Sequence, residues 1–251
     1  MRRALILGLA TVPLLGCAAA DTVSLDRFGK SGQMNALSGA GAGAANACFT
    51  CHGLQGQGDG AGSPRLAGLD AGYLNRQLQG YADGRRYHPQ MAWIASQLNA
   101  QERMSVALHY ASIPFENAVT KKTATPASAL YHRGDPARGL PSCASCHGAE
   151  GGGIGAANPP IAGQSPSYLA EQMDQWRKGR RRTDPGAMMV RISQLLTPSE
   201  SRAVTAYAAR LDGRLPSPEP PAASPAERRA DPRNDASGPP LHVPESARAA
   251  E

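Results

Sequence analysis

The chain has 251 residues, with 26 Lys and Arg against 20 Asp and Glu, for a formal net charge of +6. Only 5% of residues are aromatic and only three are Phe, so a domain of about 85 residues is marginal here unless something other than protein fills its core. The modest positive charge comes with no recognisable nucleic-acid-binding motif, which excludes a nucleic-acid partner.

In chain order, residues 1–20 read as an export signal. Arg2-Arg3 leads, an apolar run extends from Ala4 to Leu15, and small residues follow. That run is too short for a membrane span. Leu14-Leu15-Gly16-Cys17 resembles the bacterial lipoprotein processing box, in which the Cys becomes the lipidated first residue. Cleavage after Ala18-Ala19-Ala20 is the alternative. Residues 21–35 are polar and Gly-containing, which predicts a spacer. Ala36 to Asn46 is Ala-rich, favouring a helix, but carries several Gly.

Cys48-Phe49-Thr50-Cys51-His52 comes next, and Cys143-Ala144-Ser145-Cys146-His147 repeats it 95 residues later. Cys-x-x-Cys-His attaches a c-type haem: the two thiols add to its vinyl groups and the His ligates the iron. A bare Cys-x-x-Cys would also suit a redox dithiol or half of a zinc site. The two pairs here are too far apart for a four-Cys zinc site, and each is followed at once by His.

The same shift of 95 superposes Leu66-Ala67-Gly68 on Ile161-Ala162-Gly163, Tyr73-Leu74 on Tyr168-Leu169, Gln77 on Gln172, and Gly84-Arg85-Arg86 on Gly179-Arg180-Arg181. The shift then becomes 98, aligning Met91 with Met189, Ile94 with Ile192, Leu98 with Leu196 and Glu102 with Glu200. The chain is therefore one domain written twice. The first haem domain covers 36–115, a polar linker 116–128, and the second haem domain 129–213.

Between the motif and the Met, each half has a Gly-rich run, Gly53 to Gly62 and Gly148 to Gly155, that lets backbone pass close to a porphyrin. Pro64 and Pro159 follow in register. Either carbonyl could accept the Nδ1–H of the ligating His and fix its tautomer. Asp70 is the expected cap of a helix reaching Gln79 or Tyr81. Ser165 with Pro166 is its counterpart. Met91 and Met189 are the candidate second axial ligands, since a Met sulfur raises a haem potential. Met188 competes with Met189, and His88 competes with Met91. Each Met precedes an apolar-periodic helix, Ile94 to Ala111 and Ile192 to Leu211. Gly134 to Gly139 reads as a capped helix entry.

The basic run Arg177 to Arg182, echoed by Arg85-Arg86, is the densest charged patch, a candidate to pair with haem propionates or acidic partners. His109, His132 and His242 are not assigned to metal. Residues 214–251 hold nine of the chain's 21 prolines and predict a disordered tail. No alternating strand pattern stands out, so the fold class is all-α, in two tandem haem domains related by internal duplication.

Over residues 36–212 the duplicated motif, the paired Ala-Gly and Tyr-Leu segments and the Met91 and Met189 regions resemble the cytochrome c4 family of diheme c-type cytochromes. The resemblance implies two covalently attached haem c groups. Cys48, Cys51, Cys143 and Cys146 would form the thioether links, His52 and His147 the proximal ligands, and Met91 and Met189 the distal ones. It implies electron transfer without a small-molecule substrate, on the periplasmic side of a bacterial inner membrane. The Gly/Ala-rich entry to the first motif, the lipid-anchor reading of Cys17 and the long Pro-rich tail depart from the family pattern, and leave open whether the protein is soluble or anchored. The donor would be a bc-type complex or a dehydrogenase and the acceptor a terminal oxidase. A subunit of a larger membrane-bound oxidase or dehydrogenase complex is the main alternative. A diheme peroxidase is a lesser one, because two matching Met ligands leave no open coordination position.

Overall fold

The computed structural model describes residues 30–117 and 125–213. The export signal, Cys17, the Lys121-Lys122 stretch of the linker, His242 and the Pro-rich tail lie outside the described residues. Among those described there is no β-strand, only three isolated bridge pairs.

Two sets of helices follow one another. The first is α1 (30–38), α2 (Cys48–His52), α3 (Ala71–Ala82), α4 (Pro89–Gln97) and α5 (Ala100–Ser112). The second is α6 (Pro126–Arg133), α7 (Ala144–His147), α8 (Pro166–Arg177), α9 (Met188–Leu195) and α10 (Pro198–Ala208). In the first lobe α3 packs on α4 and α5. In the second α8 packs on α9 and α10, and α6 closes against α10.

Local chemistry explains the boundaries. Asp70 accepts the Tyr73 N–H at 2.8 Å and starts α3, and Ser165 accepts the Tyr168 N–H at 3.3 Å and starts α8. The long helix expected after each Met is instead two helices. Asn99 accepts the Glu102 N–H at 3.0 Å while Glu102 accepts the Asn99 N–H at 2.8 Å. Thr197 and Glu200 repeat this exchange at 3.2 and 2.8 Å, with Pro198 in the first turn. Such a reciprocal box starts a new helix more firmly than apolar periodicity continues the old one.

Three other expectations change. The supposed spacer is already helical from residue 30. A Cβ at Gly32 would stand 2.0 Å from the Ser105 carbonyl oxygen, so only Gly lets α1 lie this close to α5, and Asn35 donates to Ser105 Oγ at 3.0 Å. Ala36 to Asn46 is not one helix, because Gly39 (φ 76) and Gly43 (φ 78) break it into two 3-10 turns, Ala40–Ala42 and Ala44–Asn46. The Gly134–Gly139 stretch is a tight loop closed by an Asp135–Leu140 bridge around one 3-10 turn, Pro136–Arg138. The helix of this region lies before it: α6 opens at Pro126 behind a Thr125–Ser128 capping box.

The two cores are alike in outline but not in filling. The first gathers Ala36, Leu69, Leu74, Val106 and Tyr110, and the second Tyr131, Met173, Leu196, Val204, Ala208 and Leu211. In the repeat register Ala36 aligns with Tyr131 and Tyr110 with Ala208. The large tyrosine sits on α5 in one lobe and on α6 in the other. Total volume is kept while the position moves, which a packed core tolerates.

The lobes share a polar seam. Arg86 and Arg181 pair as an isolated antiparallel bridge, flanked by Tyr87 N–H to Arg180 O at 2.8 Å and Arg182 N–H to Arg85 O at 2.7 Å. At a second place the Arg65 N–H donates to Gln164 Oε1 at 3.0 Å, Gln164 Nε2 donates back to the Arg65 carbonyl at 2.7 Å, and the Arg65 guanidinium reaches the Ala162 carbonyl at 3.0 Å. The Phe115 ring lies 3.9 Å from that guanidinium, over Gly163, where a Cβ would come within 2.6 Å of it.

Candidate haem sites

One helical turn carries each motif. In α2 the i,i+4 spacing sets Cys48 and His52 on one face, and the turn stops at Gly53 (φ 78). In α7 the same stop falls at Gly148 (φ 80).

His52 is buried, and its Nδ1 lies 2.9 Å from the Pro64 carbonyl. His147 Nδ1 lies 2.9 Å from the Pro159 carbonyl. With Nδ1–H donated, Nε2 keeps its lone pair for a metal. Burial lowers the basicity of both imidazoles and favours this neutral, ligating form. Burial also pushes the Cys48 and Cys143 thiols up to about 11.

Two glycines make the Pro contact possible. The Gly58 N–H donates to the His52 carbonyl at 2.8 Å and the Gly153 N–H to the His147 carbonyl at 2.9 Å. Both have φ near 78. A Cβ at Gly58 would lie 2.6 Å from the Ser63 oxygen, and one at Gly153 would lie 2.5 Å from the Pro160 nitrogen. These two glycines serve the loop's own backbone, folding it back until the Pro carbonyl meets the imidazole.

Behind each motif is a cavity, about 300 Å³ in the first lobe and about 350 Å³ in the second. The first is lined by Cys48, Cys51, His52, Pro64 and Met91, the second by Cys143, Cys146, His147, Pro159 and Met189. All ten motif-derived residues are thus brought together five by five. Cys17 lies outside the described residues.

The competing ligands take other roles. His88 Nδ1 accepts the Met91 N–H at 3.3 Å and caps α4. Met188 also lines the second cavity, but it is 42% exposed and its sulfur receives an Arg191 N–H at 3.6 Å. Met189 packs on the second core. In the second lobe Asp184 replaces His88: it accepts the Met189 N–H at 2.8 Å and the Trp176 indole N–H at 3.0 Å. His132 bonds the Tyr207 hydroxyl at 2.8 Å, and the His109 ring lies tilted beside that of Tyr110.

Arg86 and Arg181, read from sequence as part of a charged patch, are instead buried at the seam. Arg86 donates to Tyr168 OH (2.7 Å), Gln172 (2.8 Å) and Gln77 (3.1 Å). Arg181 donates to Tyr73 OH (2.9 Å), Gln172 (2.9 Å) and Gln77 (3.1 Å). Tyr168 and Gln172 also line the first cavity, and Tyr73 and Gln77 the second. Each cavity therefore takes part of its wall from the other lobe. Sequence reasoning missed this because the repeat aligns the residues of the seam without showing that the two copies face each other.

The donor set fits haem c: two thiols and an imidazole with a free Nε2 share each largely apolar cavity with a thioether. Among the described residues no group of three or more His, Cys, Asp or Glu could hold a metal ion by itself.

The cytochrome c family profile matches residues 38–112 and again 127–212. The chain belongs to the cytochrome c family and carries two such domains. A thiosulfate dehydrogenase electron acceptor from Stutzerimonas stutzeri is 39% identical over 204 residues, 79% of this chain and 94% of that protein. Cytochrome c4 from Pseudomonas aeruginosa is 31% identical over 185 residues, covering 72% and 92%. The solved structure of reduced cytochrome c4 from Pseudomonas stutzeri superposes with a TM-score of 0.63 at 26% identity, covering 73% of this chain and 98% of that one. Within the family, then, the chain is a cytochrome c4-like diheme protein: an electron carrier, not an enzyme, with two covalently attached haem c groups.

Proposed function

We propose that Cys48 and Cys51 hold one haem, with His52 and Met91 as its axial ligands, and that Cys143 and Cys146 hold the other, with His147 and Met189. The first haem domain then takes in α1 and runs from 30 to 115, and the second takes in α6 and runs from 126 to 213. The observation that carries this reading is the pair of Nδ1···carbonyl contacts at 2.9 Å, His52 to Pro64 and His147 to Pro159. Each leaves one imidazole nitrogen for iron, in a cavity that a Met also lines.

When bound, haem supplies a one-electron iron couple. The residues around it fix the ligands and exclude water, so a change of charge needs little movement. With His52 and Met91, or His147 and Met189, holding it, the iron would have no position left for a substrate, and electrons would enter and leave across the protein surface.

The donor is a dehydrogenase of the thiosulfate-oxidising class, supported by the naming of the Stutzerimonas relative, and the acceptor is a terminal oxidase. The protein works on the periplasmic side of a bacterial inner membrane, where the residue 1–20 signal delivers it and Cys17 anchors it by lipid.

Reducing the purified full-length protein with a thiosulfate dehydrogenase and thiosulfate tests this. A pyridine haemochrome assay gives two haems per chain, and both reduce only when enzyme and substrate are present together. Fewer than two haems would overturn the ligand assignment. Two haems that stay oxidised beside an active enzyme would overturn the donor.

A further inference from the structure

Among the described residues only two arginine nitrogens are buried without a hydrogen-bond partner, Arg65 Nε and Arg76 Nε. Arg65 lines the first cavity and Arg76 the second. Both belong to the first lobe. Arg76 projects from α3 across the seam, where its guanidinium holds the Ala156 carbonyl of the second lobe, two residues before Asn158 and three before Pro159 on the rim of the second cavity.

The repeat shows what the second lobe lacks. Its residue in register with Arg65 is Pro160, and its residue in register with Arg76 is Glu171. At these two positions the second lobe supplies no cation of its own. Glu171 instead lines the first cavity, so the two lobes send opposite charges across the seam from equivalent places.

A buried guanidinium N–H without an acceptor is costly. The anionic groups of a haem are its propionate carboxylates, which a guanidinium fork matches. We propose that Arg76, a residue of the first lobe, binds a propionate of the second haem and raises that haem's potential in trans, the part Arg65 plays for the first haem within its own lobe. This rests on each lobe holding one haem. A cation beside a haem favours the reduced, less positive state. Glu171, exposed at the first cavity, acts in the opposite sense on the first haem.

Spectroelectrochemical titration of the full-length two-haem protein tests this, with the second haem identified by its displacement in Met189→His. Arg76→Gln weakens electron binding at the second haem about tenfold, a fall of about 59 mV for one electron, and leaves the first haem within a factor of two. Arg65→Gln moves only the first haem. Arg76→Lys, which keeps the charge, restores most of the second haem's midpoint. If Arg76→Gln moves only the first haem, both equally or neither, the proposal is wrong. If Arg76→Gln does not mature with two haems, Arg76→Met, which also removes the charge, decides in its place: a fall confined to the second haem supports the proposal, and no change there overturns it. A haem count below two in the wild-type protein would defeat the ligand assignment instead, and haemochrome analysis of the wild type separates the two failures.

Discussion

Arg86 and Arg181 pair backbone to backbone, and each sends its guanidinium into the opposite lobe, Arg86 to the Tyr168 hydroxyl at 2.7 Å and Arg181 to that of Tyr73 at 2.9 Å. They are equivalent residues of the two copies, so the contact is close to self-complementary, as a two-fold interface requires. Both are buried and donate to tyrosine hydroxyls and glutamine side-chain carbonyls. Their charges are met by neutral hydroxyl and amide oxygens at the meeting of two haem cavities. That arrangement holds the lobes in one register and lets each cavity borrow part of the other lobe's wall.

Removing one arm of this network should therefore loosen the lobes before it unfolds either core. Arg86→Ala leaves the Tyr168 hydroxyl and the Gln172 carbonyl short of a buried charged donor, a loss of roughly 3 kcal/mol. Tyr168→Phe removes a single charge-assisted bond and costs about half as much. Guanidinium denaturation followed at the Soret band and by tryptophan fluorescence checks this, because Trp93 lies in the first lobe and Trp176 in the second. Coincident transitions in Arg86→Ala with unchanged midpoint would mean the seam is not a stability element.

The same seam contains a steric test. Gly80 on α3 is buried, and a Cβ there would stand 2.3 Å from Thr183 Cγ2 of the second lobe. Thr183 cannot easily turn away, since its Oγ1 donates to Gln77 at 2.8 Å and its branched side chain is stiff. Gly80→Ala is expected to destabilise the protein by about 1–3 kcal/mol through overpacking, against the gain that Ala normally gives inside a helix. A rise in the thermal midpoint would show that the lobes can separate here without cost.

Ligand identity is open to a direct comparison. Met188 and Met189 are neighbours in sequence but differ in surroundings, one 42% exposed against Arg191 and the other packed on the second core. Met188→Leu should leave the second haem's spectrum and potential unchanged, and Met189→Leu should abolish its sulfur–iron charge-transfer band. Met91→His should lower the first haem's potential by roughly 0.2–0.4 V, part of the ~0.8 V that axial ligands span. Spectra of the three variants decide the matter, and loss of the band in Met188→Leu alone would reverse the register.

Much of this was legible because covalent chemistry leaves short, rigid signatures. The two motifs, the prolines after them and the Met positions are fixed in register by the repeat, and Asp70 and Ser165 cap where hydrogen-bonding side chains precede an apolar period. The helix breaks at Asn99 and Thr197 were equally visible, as Asn-x-x-Glu and Thr-Pro-x-Glu, but apolar periodicity runs through them and masked the caps. Helix α1 was hidden for a different reason: Gly32 lowers local helix propensity, and its value lies in the approach to Ser105, a contact made across the fold. The burial of Arg86 and Arg181 is likewise tertiary. A run of arginines reads as solvated surface until a second copy of the same segment lies against it.

Acid stability offers the last test. Arg138 holds Glu200 by two contacts, at 2.8 and 3.2 Å, and Asp135 by a third at 2.7 Å, while Glu200 also accepts the Thr197 N–H at the start of α10. The Arg138 guanidinium foremost, with the Thr197 N–H, lowers the Glu200 carboxyl from its usual 4.5 to about 2. A carboxyl lowered on folding contributes its stability above the unfolded value, and that contribution is lost as pH falls through the folded one. Wild type should therefore lose this increment between pH 4.5 and about 2. Glu200→Gln should lack it throughout, so the two stability curves converge at low pH. Because the group lies at the surface, the increment is about 0.5–1 kcal/mol, and added salt should shrink it. Chemical denaturation across that pH range measures the difference; curves that stay parallel would remove the Arg138–Glu200 clamp from the account of how α10 begins.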